Sequence, residues 1–523
     1  MGELLVGVDV GTGSARAGVF SAAGAMLGRG ERAIAMRRPS ARVAEHDSED
    51  IWRAACAAVR AALTASGARG PDIAAIGFDA TCSLVIRDRR GAPLAVSPEA
   101  GANWDTMVWL DHRAMAEAAA CTATADAVLG NFGGVMSPEM EIPKLMWLKA
   151  HNPASWAALG HAFDLVDFLT WRATGSLERS QSTLASKWSW GTGGEEGWPR
   201  NFLARVGLED LTERAALPEE ARPPGQDLGP LLPEAAAALG LTPEARVAAG
   251  LIDAHAGALG VLGKRAGDTA PALCLMAGTS SSVLALSREP RPVRGVWGPY
   301  RGALLPGLWL LEAGQSATGA LLDHVIRGHA AGGEPTPERH AAIAARVSEL
   351  ASAGADPAPD LHVLPDFHGN RSPLAEPAAL GVISGLTLES DFDSLCRLYW
   401  RTAVALALGL RQNLEALKGQ GFATDRLLLG GGHARNGLLL SLYAEVTGAT
   451  IVVPNTDAPL LGAAMLAANA AGQHRDLVAA AAAMDQGGSD MRVDVAPQRR
   501  AARERDYRIF LEMQRQRRII AGL

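Results

Sequence analysis

Asp9 stands just ahead of Gly11-Thr12-Gly13-Ser14, at the end of an apolar run formed by Leu4, Leu5, Val6 and Val8. A carboxylate in that place can hold a divalent cation directly or through water, and a Gly-rich turn with two hydroxyls offers backbone N–H groups to phosphoryl oxygens. An ordinary hairpin with glycines for its turn geometry explains the same residues, so these alone leave both readings open. A second carboxylate, Asp253, heads the small-residue stretch AGLIDAHAGALGVL at 249–262, with His255 two positions on. Phosphoryl transfer to a hydroxyl needs one carboxylate to orient and deprotonate the acceptor, separate from any carboxylate that holds the metal. Asp9 and Asp253 together supply that division.

Two other groups can touch a polar ligand. In WDTMVWLDHRAM at 104–115, Trp109 can present a flat wall to the apolar face of a sugar while Asp111 and Arg113 pair. A capped, ordinarily packed helix start accounts for the same residues. Lys187, within ASKWSW, has an ammonium able to bind a substrate oxygen or, equally, to snorkel from a packed surface.

The elements that position these residues follow from hydrophobic periodicity. Leu4–Val8 and the alternation Ala15, Ala17, Val19 predict strand, tight turn, strand. A dinucleotide fingerprint would need a third glycine where Arg16 stands and should open a helix. A P-loop is excluded because Gly263-Lys264 is followed by Arg265. Residues 50–65 have helical spacing, and two strand-like runs follow around Asp79 to Ser83, so the chain reads as α/β. Further helices are expected at about 143–149, across Phe163 to Phe168, within 221–240, from Asp253, across 327–359, at 391–417, from Asn436 and at the basic C-terminal stretch. Residues 361–388 read as a long coil rich in polar groups.

At Ala272 the opening pattern returns without its carboxylate. ALCLMAGTSSSVLAL gives a strand, the turn Gly278-Thr279-Ser280-Ser281 and a second strand, an internal echo that suggests two domains related by duplication. Metal chemistry then belongs to the first copy. Gly430, Gly431 and Gly432 follow another strand, where small residues let a nucleotide lie against backbone.

A chain of 523 residues exceeds one hydrophobic core, and 48% hydrophobic with 20% charged residues describes a well-folded soluble protein. The net charge of -7 leaves no basic footprint for nucleic acid. Five dispersed cysteines with no CxxC fit a reducing, cytoplasmic compartment. Neither a secretion signal nor an apolar stretch of about 18 residues is present, so no membrane role is expected.

The pieces DVGTGSAR (9–16), the Trp109, Asp111, Arg113 spacing, DAHAG (253–257), AGTSS (277–281), EAGQSATG (312–319) and GGGHARN (430–436), taken in order, resemble the FGGY carbohydrate kinase family. Within it, TCSLV at 81–85, GGVMSPEMEIPKLMWLK at 133–149 and LPDFHGNRSPLAEP at 364–377 resemble the D-ribulokinase-like pentulose kinase branch. The resemblance implies two actin-like, ribonuclease-H-like ATPase domains flanking a central cleft, with residues 1–264 carrying sugar, metal and phosphate groups and 265–523 binding nucleotide. It implies transfer of the γ-phosphoryl group of ATP to a ketopentose hydroxyl, foremost D-ribulose to D-ribulose 5-phosphate. L-ribulokinase, xylulokinase and other polyol kinases are alternatives within the fold, and a non-enzymatic actin-like ATPase or chaperone is the alternative of another class. By similarity Asp253 is the catalytic base, and Asp9, with Asp253, serves Mg²⁺. Ala80, Trp109, Asp111, Lys187, Asp253 and Glu312 belong near the sugar, while Thr12, Gly13, Ser14, Arg16, Gly278, Thr279, Gly319, Gly432 and Asn436 belong on the nucleotide side. On this reading Asp253 needs no elevated resting pKa, the partner is a small sugar rather than nucleic acid or membrane, and a homodimer is one assembly open to the chain.

Overall fold

The opening hairpin forms as its alternation requires: β1 (Leu4–Val10) and β2 (Ser14–Phe20) pair antiparallel, with Gly11 N–H closing the turn on the Ser14 carbonyl. The computed structural model describes residues 2–191, 197–268, 273–351 and 356–522. They divide into two units. The first comprises residues 1–272, 284–312 and 454–487, and the second comprises 273–283, 313–453 and 488–523, each to the extent described.

In the first unit, β3 (Met26–Ala33) extends the hairpin on the β2 side, and β6 (Ile73–Ala80) runs parallel to β1 on the other. Beyond β6 lie β11 (Arg246–Ala248) and β10 (Asp227–Pro230), while β12 (Leu251–Ile252) pairs with the far end of β6. Between them in the chain come β4 (Met36–Ser40), β5 (Val43–His46), β7 (Leu84–Asp88), β8 (Thr106–Met107) and β9 (Leu159–Asp164), which make a five-stranded sheet in the order β4-β5-β8-β7-β9. The helix expected across Phe163 to Phe168 starts later, at Leu165. Phe163 and Asp164 end β9 instead, because their backbone pairs with Val85 and Leu84.

The helix Ser48–Ser66 covers one face of the first sheet with Ile51, Ala55, Ala58, Val59 and Ala62. Asp47 caps its start through Glu49 and Asp50 N–H, and Gly67 ends it in the left-handed conformation. The helix Ala458–Ala470, nearly 400 residues further on, packs against β1 and β6. Its close approach requires glycine: a Cβ on Gly7 would lie 2.3 Å from the Leu460 carbonyl oxygen, and one on Gly77 2.1 Å from that of Ala463. The same helix meets the helix Asp253–Leu262 through Gly260 and Gly462, whose Cβ positions would fall 2.1 and 1.9 Å from the Ala458 and Ala256 carbonyl oxygens. The small residues at 254–260 thus serve helix packing inside the first unit.

The second unit repeats the hairpin scheme. β13 (Leu273–Ala277) leads through Gly278–Ser280 into β14 (Ser281–Ser287); Ala272, where the sequence reading starts this copy, lies outside the described residues. β15 (Trp297–Arg301) and β16 (Trp309–Gln315), the latter in the first unit as far as Glu312, pair antiparallel and set Trp297 opposite Glu312. In the second, β17 (His362–Leu364) and β18 (Val382–Ser384) form a small ladder within the segment expected as coil. β19 (Arg426–Gly430) runs parallel to β13, and β20 (Thr450–Pro454) parallel to β19, with β21 (Gly488–Met491) at the edge. The expected helix across 327–359 resolves into the end of Gly319–Gly328 and Pro337–Ala351, separated at a segment rich in glycine and proline. The helices Phe392–Lys418 and Pro497–Ala521 stand where the sequence places them. They are joined through a buried ion pair of Arg401 with Asp506, which Arg503 of the second helix also holds. All five cysteines are buried and unbridged. No helix among the described residues is long and apolar enough to cross a membrane.

Candidate active site

Parallel pairing of β1 with β6 places Asp9 and Asp79 as Cα partners, and β12 then sets Leu251 beside Asp79 and Ile252 beside Ala80. The chain turns from Ile252 directly into a helix whose first residue is Asp253. Three carboxyl groups are thereby brought to the ends of adjacent strands. Asp9 and Asp79 are fully buried, and apart from Arg16 no hydrogen bond from outside the pair reaches the carboxyl oxygens of either. Arg16, the cross-strand partner of Asp9, lays its guanidinium Nη2 2.5 Å from Asp9 Oδ2. Burial raises the Asp9 pKa against the pull of Arg16. For Asp79, burial and then the charges of Asp9 and Asp253 drive it well above the ordinary carboxylate value.

Asp253 is half-buried, and its Oδ1 accepts from Ala254 N–H at 2.7 Å. Burial and then the negative charge of Asp9 push its pKa up to about 6, so the resting carboxyl is more basic than the reaction alone requires. Two residues on, His255 is buried, with Nδ1 2.8 Å from Ser182 Oγ and Nε2 3.9 Å from Glu312 Oε2. Lys187 is also buried: its Nζ lies 3.5 Å from Glu312 Oε2 and 4.4 Å from the centre of the Trp297 ring. The structure therefore selects the enclosed ammonium over the snorkelling one. The Glu312 carboxylate and the Trp297 ring face both attract an ammonium, which offsets part of the cost of burying it.

Trp109 donates its indole N–H to Thr12 Oγ1 at 3.0 Å, and its backbone N–H to Ser83 Oγ. Asp111 is fully buried and already saturated. Its oxygens accept from Arg113 Nε and Nη2, from Arg113 N–H and from Ala44 N–H at 2.6–3.0 Å. Arg113 continues to Glu45 and Ser97. In the hairpin turn Gly13 is exposed, while Ser14 Oγ donates to Glu31 Oε1 at 3.1 Å.

In the second unit, Gly278, Thr279 and Gly319 meet at one turn: Thr318 and Gly319 N–H donate to the Thr279 and Gly278 carbonyls, each at 2.9 Å. A Cβ on Gly319 would stand 2.6 Å from the Gly278 carbonyl oxygen, whereas Gly278 and Gly432 face open space. Asn436 caps the helix Gly437–Thr447 through Leu439 N–H. The position matching Asp9 is Met276, and its parallel neighbour is Gly430 where the first unit has Asp79. The carboxyl pair has no counterpart in the second hairpin.

Asp79, Trp297 and His255 are the site groups that sequence reasoning passed over or left without a role. A charged residue inside the apolar run IAAIGFDA was the available signal for Asp79. The hard oxygen donors of Asp9, buried with Arg16 on Oδ2 and Asp79 alongside, fit a divalent cation.

A xylulose kinase of Rhodospirillum rubrum superposes with a TM-score of 0.78 over 98% of both chains at 24% identity, which fixes the fold. The N-terminal domain of the FGGY family of carbohydrate kinases matches residues 4–260 and its C-terminal domain residues 273–471, and the chain belongs to that family of ATP-dependent sugar phosphotransferases. It is 41% identical to an FGGY carbohydrate kinase domain-containing protein of Danio rerio, over 97% of this chain and 96% of that one. It is 35% identical to a D-ribulokinase of Saccharomyces cerevisiae, over 90% and 72%.

Proposed function

We propose that the chain phosphorylates D-ribulose to D-ribulose 5-phosphate with MgATP. The observation that carries this reading is the grouping of Asp253, Lys187, Glu312 and Trp297 in one unit: a raised-pKa carboxylate beside a buried cation and a carboxylate suited to sugar hydroxyls. The likeness to a D-ribulokinase over most of both chains supports the choice of ketopentose. Residues 1–264, together with Trp297 and Glu312 of the same unit, would supply the sugar, metal and phosphate groups, and the loops of the second unit within 265–523 the nucleotide side.

Asp253 takes the proton of the acceptor hydroxyl as that oxygen attacks the γ-phosphorus, so no alkoxide forms in advance. Lys187 and Glu312 orient the sugar, and Trp109 closes its apolar face. Arg16 and the Thr12–Ser14 turn face phosphate oxygens. Asp9 would hold Mg²⁺, which supplies charge neutralisation on the β- and γ-phosphates.

The test is a coupled ADP-release screen over D-ribulose, L-ribulose, D-xylulose and polyols, with the phosphorylated carbon identified in the product. The highest kcat/KM is expected with D-ribulose and phosphorylation at C5. A tenfold preference for another acceptor would replace the substrate, and ATP consumption indifferent to every acceptor would favour the actin-like ATPase reading.

A further inference from the structure

The second glycine turn, Gly278–Ser281, is held from below by a linked set of buried polar groups that the kinase reaction as described does not use. His433 follows the open Gly432 directly and is buried, with Nδ1 2.9 Å from the Tyr443 hydroxyl. The Tyr443 hydroxyl is in turn within reach of the Ser281 hydroxyl. Ser281 Oγ lies 2.9 Å from Thr318 Oγ1, and Thr318 Oγ1 lies 3.1 Å from the Gly278 carbonyl, where the circuit ends.

Proton counting gives the circuit a direction. Burial pushes His433 down to about 4, so its imidazole is neutral, with one donor and one acceptor nitrogen. Thr318 O–H donates to the Gly278 carbonyl, so Thr318 Oγ1 accepts from Ser281 O–H. Ser281 Oγ then accepts from Tyr443 O–H, and the phenol oxygen accepts from a proton on His433 Nδ1. Each hydroxyl donates once and accepts once, so this polarised order serves all three and ends on the turn's backbone. Backbone geometry reinforces it: Gly319 N–H reaches the same Gly278 carbonyl at 2.9 Å, and Gly431 adopts a φ of 89°, with its Cβ position 2.5 Å from the Ala277 carbonyl oxygen. What the circuit leaves outside is Thr279, exposed at the turn's tip, and the open faces of Gly278 and Gly432.

We propose that His433 and Tyr443 are positioning residues for the Gly278–Ser281 turn, fixing its backbone and Thr279 in the one geometry that receives a nucleotide phosphate. The proposal rests on the assignment of that turn to the nucleotide side of the kinase. Neither side chain touches ligand in this account. Both act through the Gly278 carbonyl and Ser281.

The experiment compares Tyr443→Phe, His433→Ala and His433→Gln with Thr279→Ala in the full-length chain, measuring KM for ATP and for the ketopentose, kcat, and thermal unfolding. Tyr443→Phe keeps the ring and removes one hydroxyl, so a three- to tenfold rise in KM for ATP is expected, with the sugar KM within twofold and the unfolding temperature nearly unchanged. His433→Ala should exceed that rise, and His433→Gln, which can again donate to the Tyr443 hydroxyl, should recover part of it. If Thr279→Ala raises the ATP KM while Tyr443→Phe and His433→Ala do not, the positioning role is overturned and the nucleotide assignment stands. If Thr279→Ala leaves the ATP KM unchanged, the assignment of the turn fails instead. A uniform loss of both substrates with falling thermal stability would make the circuit a purely structural one and also overturn the proposal.

Discussion

Arg16 reaches back across its own hairpin to Asp9, Nη2 to Oδ2 at 2.5 Å, and is the cationic side chain set directly on a carboxyl pair that is otherwise buried without donors. The arginine is partly open, at 27% side-chain exposure, whereas the carboxylate is closed off at 1%. That asymmetry lets one guanidinium balance Asp9 from below and offer its other N–H groups outward to anions. Arg16→Ala is expected to raise KM for MgATP about tenfold and to leave the ketopentose KM within twofold. Arg16→Lys should recover less than half of the loss, since an ammonium cannot serve both sides at once. Steady-state kinetics with each substrate varied separately checks this.

Asp253→Asn removes the proton acceptor without changing side-chain size. General-base catalysis contributes on the order of 10² to 10⁴ in rate, so kcat should fall by at least about 100-fold. ATP binding, followed by isothermal titration, should stay within threefold of wild type. Turnover near the wild-type rate would assign the proton to another group.

The same carboxyl sets a pH dependence. Asp253 must be ionised to act, and burial with the nearby Asp9 charge raises its pKa to about 6, so kcat/KM should decline below pH 6, approaching tenfold per unit. Because the shift is upward, ionisation of Asp253 costs folding free energy, and that cost accrues as pH rises from the unfolded value of 3.8 through 6. Asp253→Asn should therefore be more stable than wild type at pH 8, by about 2 kcal/mol at the order-of-magnitude level, and nearly equal to it at pH 4. Urea unfolding at the two pH values checks the sign, and equal stability at pH 8 would show that the carboxyl is not strained by burial.

Much of this site was legible in the sequence where the chemistry is local. The Asp9 hairpin, the helix headed by Asp253 and the second turn at Gly278 each depend on fewer than about ten consecutive residues, and turn or cap chemistry marks them. Asp79 was not, because its meaning comes from the β1–β6 register, which sets it beside Asp9 across a separation of 70 positions. Likewise the sequence carried no sign that the segment Ala458–Ala470 packs on β1 and β6 of the first unit. Phe163 and Asp164 were drawn into a helix by apolar spacing, and tertiary pairing with β7 won over that local preference.

Asp111 distinguishes a positioning role from direct sugar contact. Its two oxygens are taken up by Arg113 and Ala44 N–H, and the Arg113 guanidinium is shared with Glu45 and stacks 4.9 Å from the Trp147 ring. Asp111→Asn would turn an amide N–H₂ toward donors and leave Arg113 under-neutralised in a buried place, an error that costs about 3–5 kcal/mol. The expected result is a marked loss of urea stability together with a raised sugar KM, since the Trp109 loop is anchored two residues away. A raised sugar KM at unchanged stability would instead give Asp111 a direct hand on the substrate.

The glycines under the carboxyl cluster give the sharpest structural test. Gly462 brings the helix Ala458–Ala470 so near the helix Asp253–Leu262 that a Cβ would sit 1.9 Å from the Ala256 carbonyl oxygen, and Gly77 leaves 2.1 Å to that of Ala463. Neither obstacle is a flexible side-chain end, so one helix must move bodily to admit a methyl group. Overpacking of this kind costs about 1–3 kcal/mol where neighbours can adjust and more where they cannot. Gly462→Ala is expected to lose at least about 3 kcal/mol in urea unfolding, and at permissive temperature to lower kcat more than it raises either KM, because the displaced helix carries Asp253 at its start. Gly472→Ala, where nothing lies within 4 Å but φ is 66°, should cost only the smaller penalty of a left-handed alanine, about 1 kcal/mol, with kcat unchanged. If the two variants lost equal stability, the close approach of the two helices could not be what holds Asp253 in place.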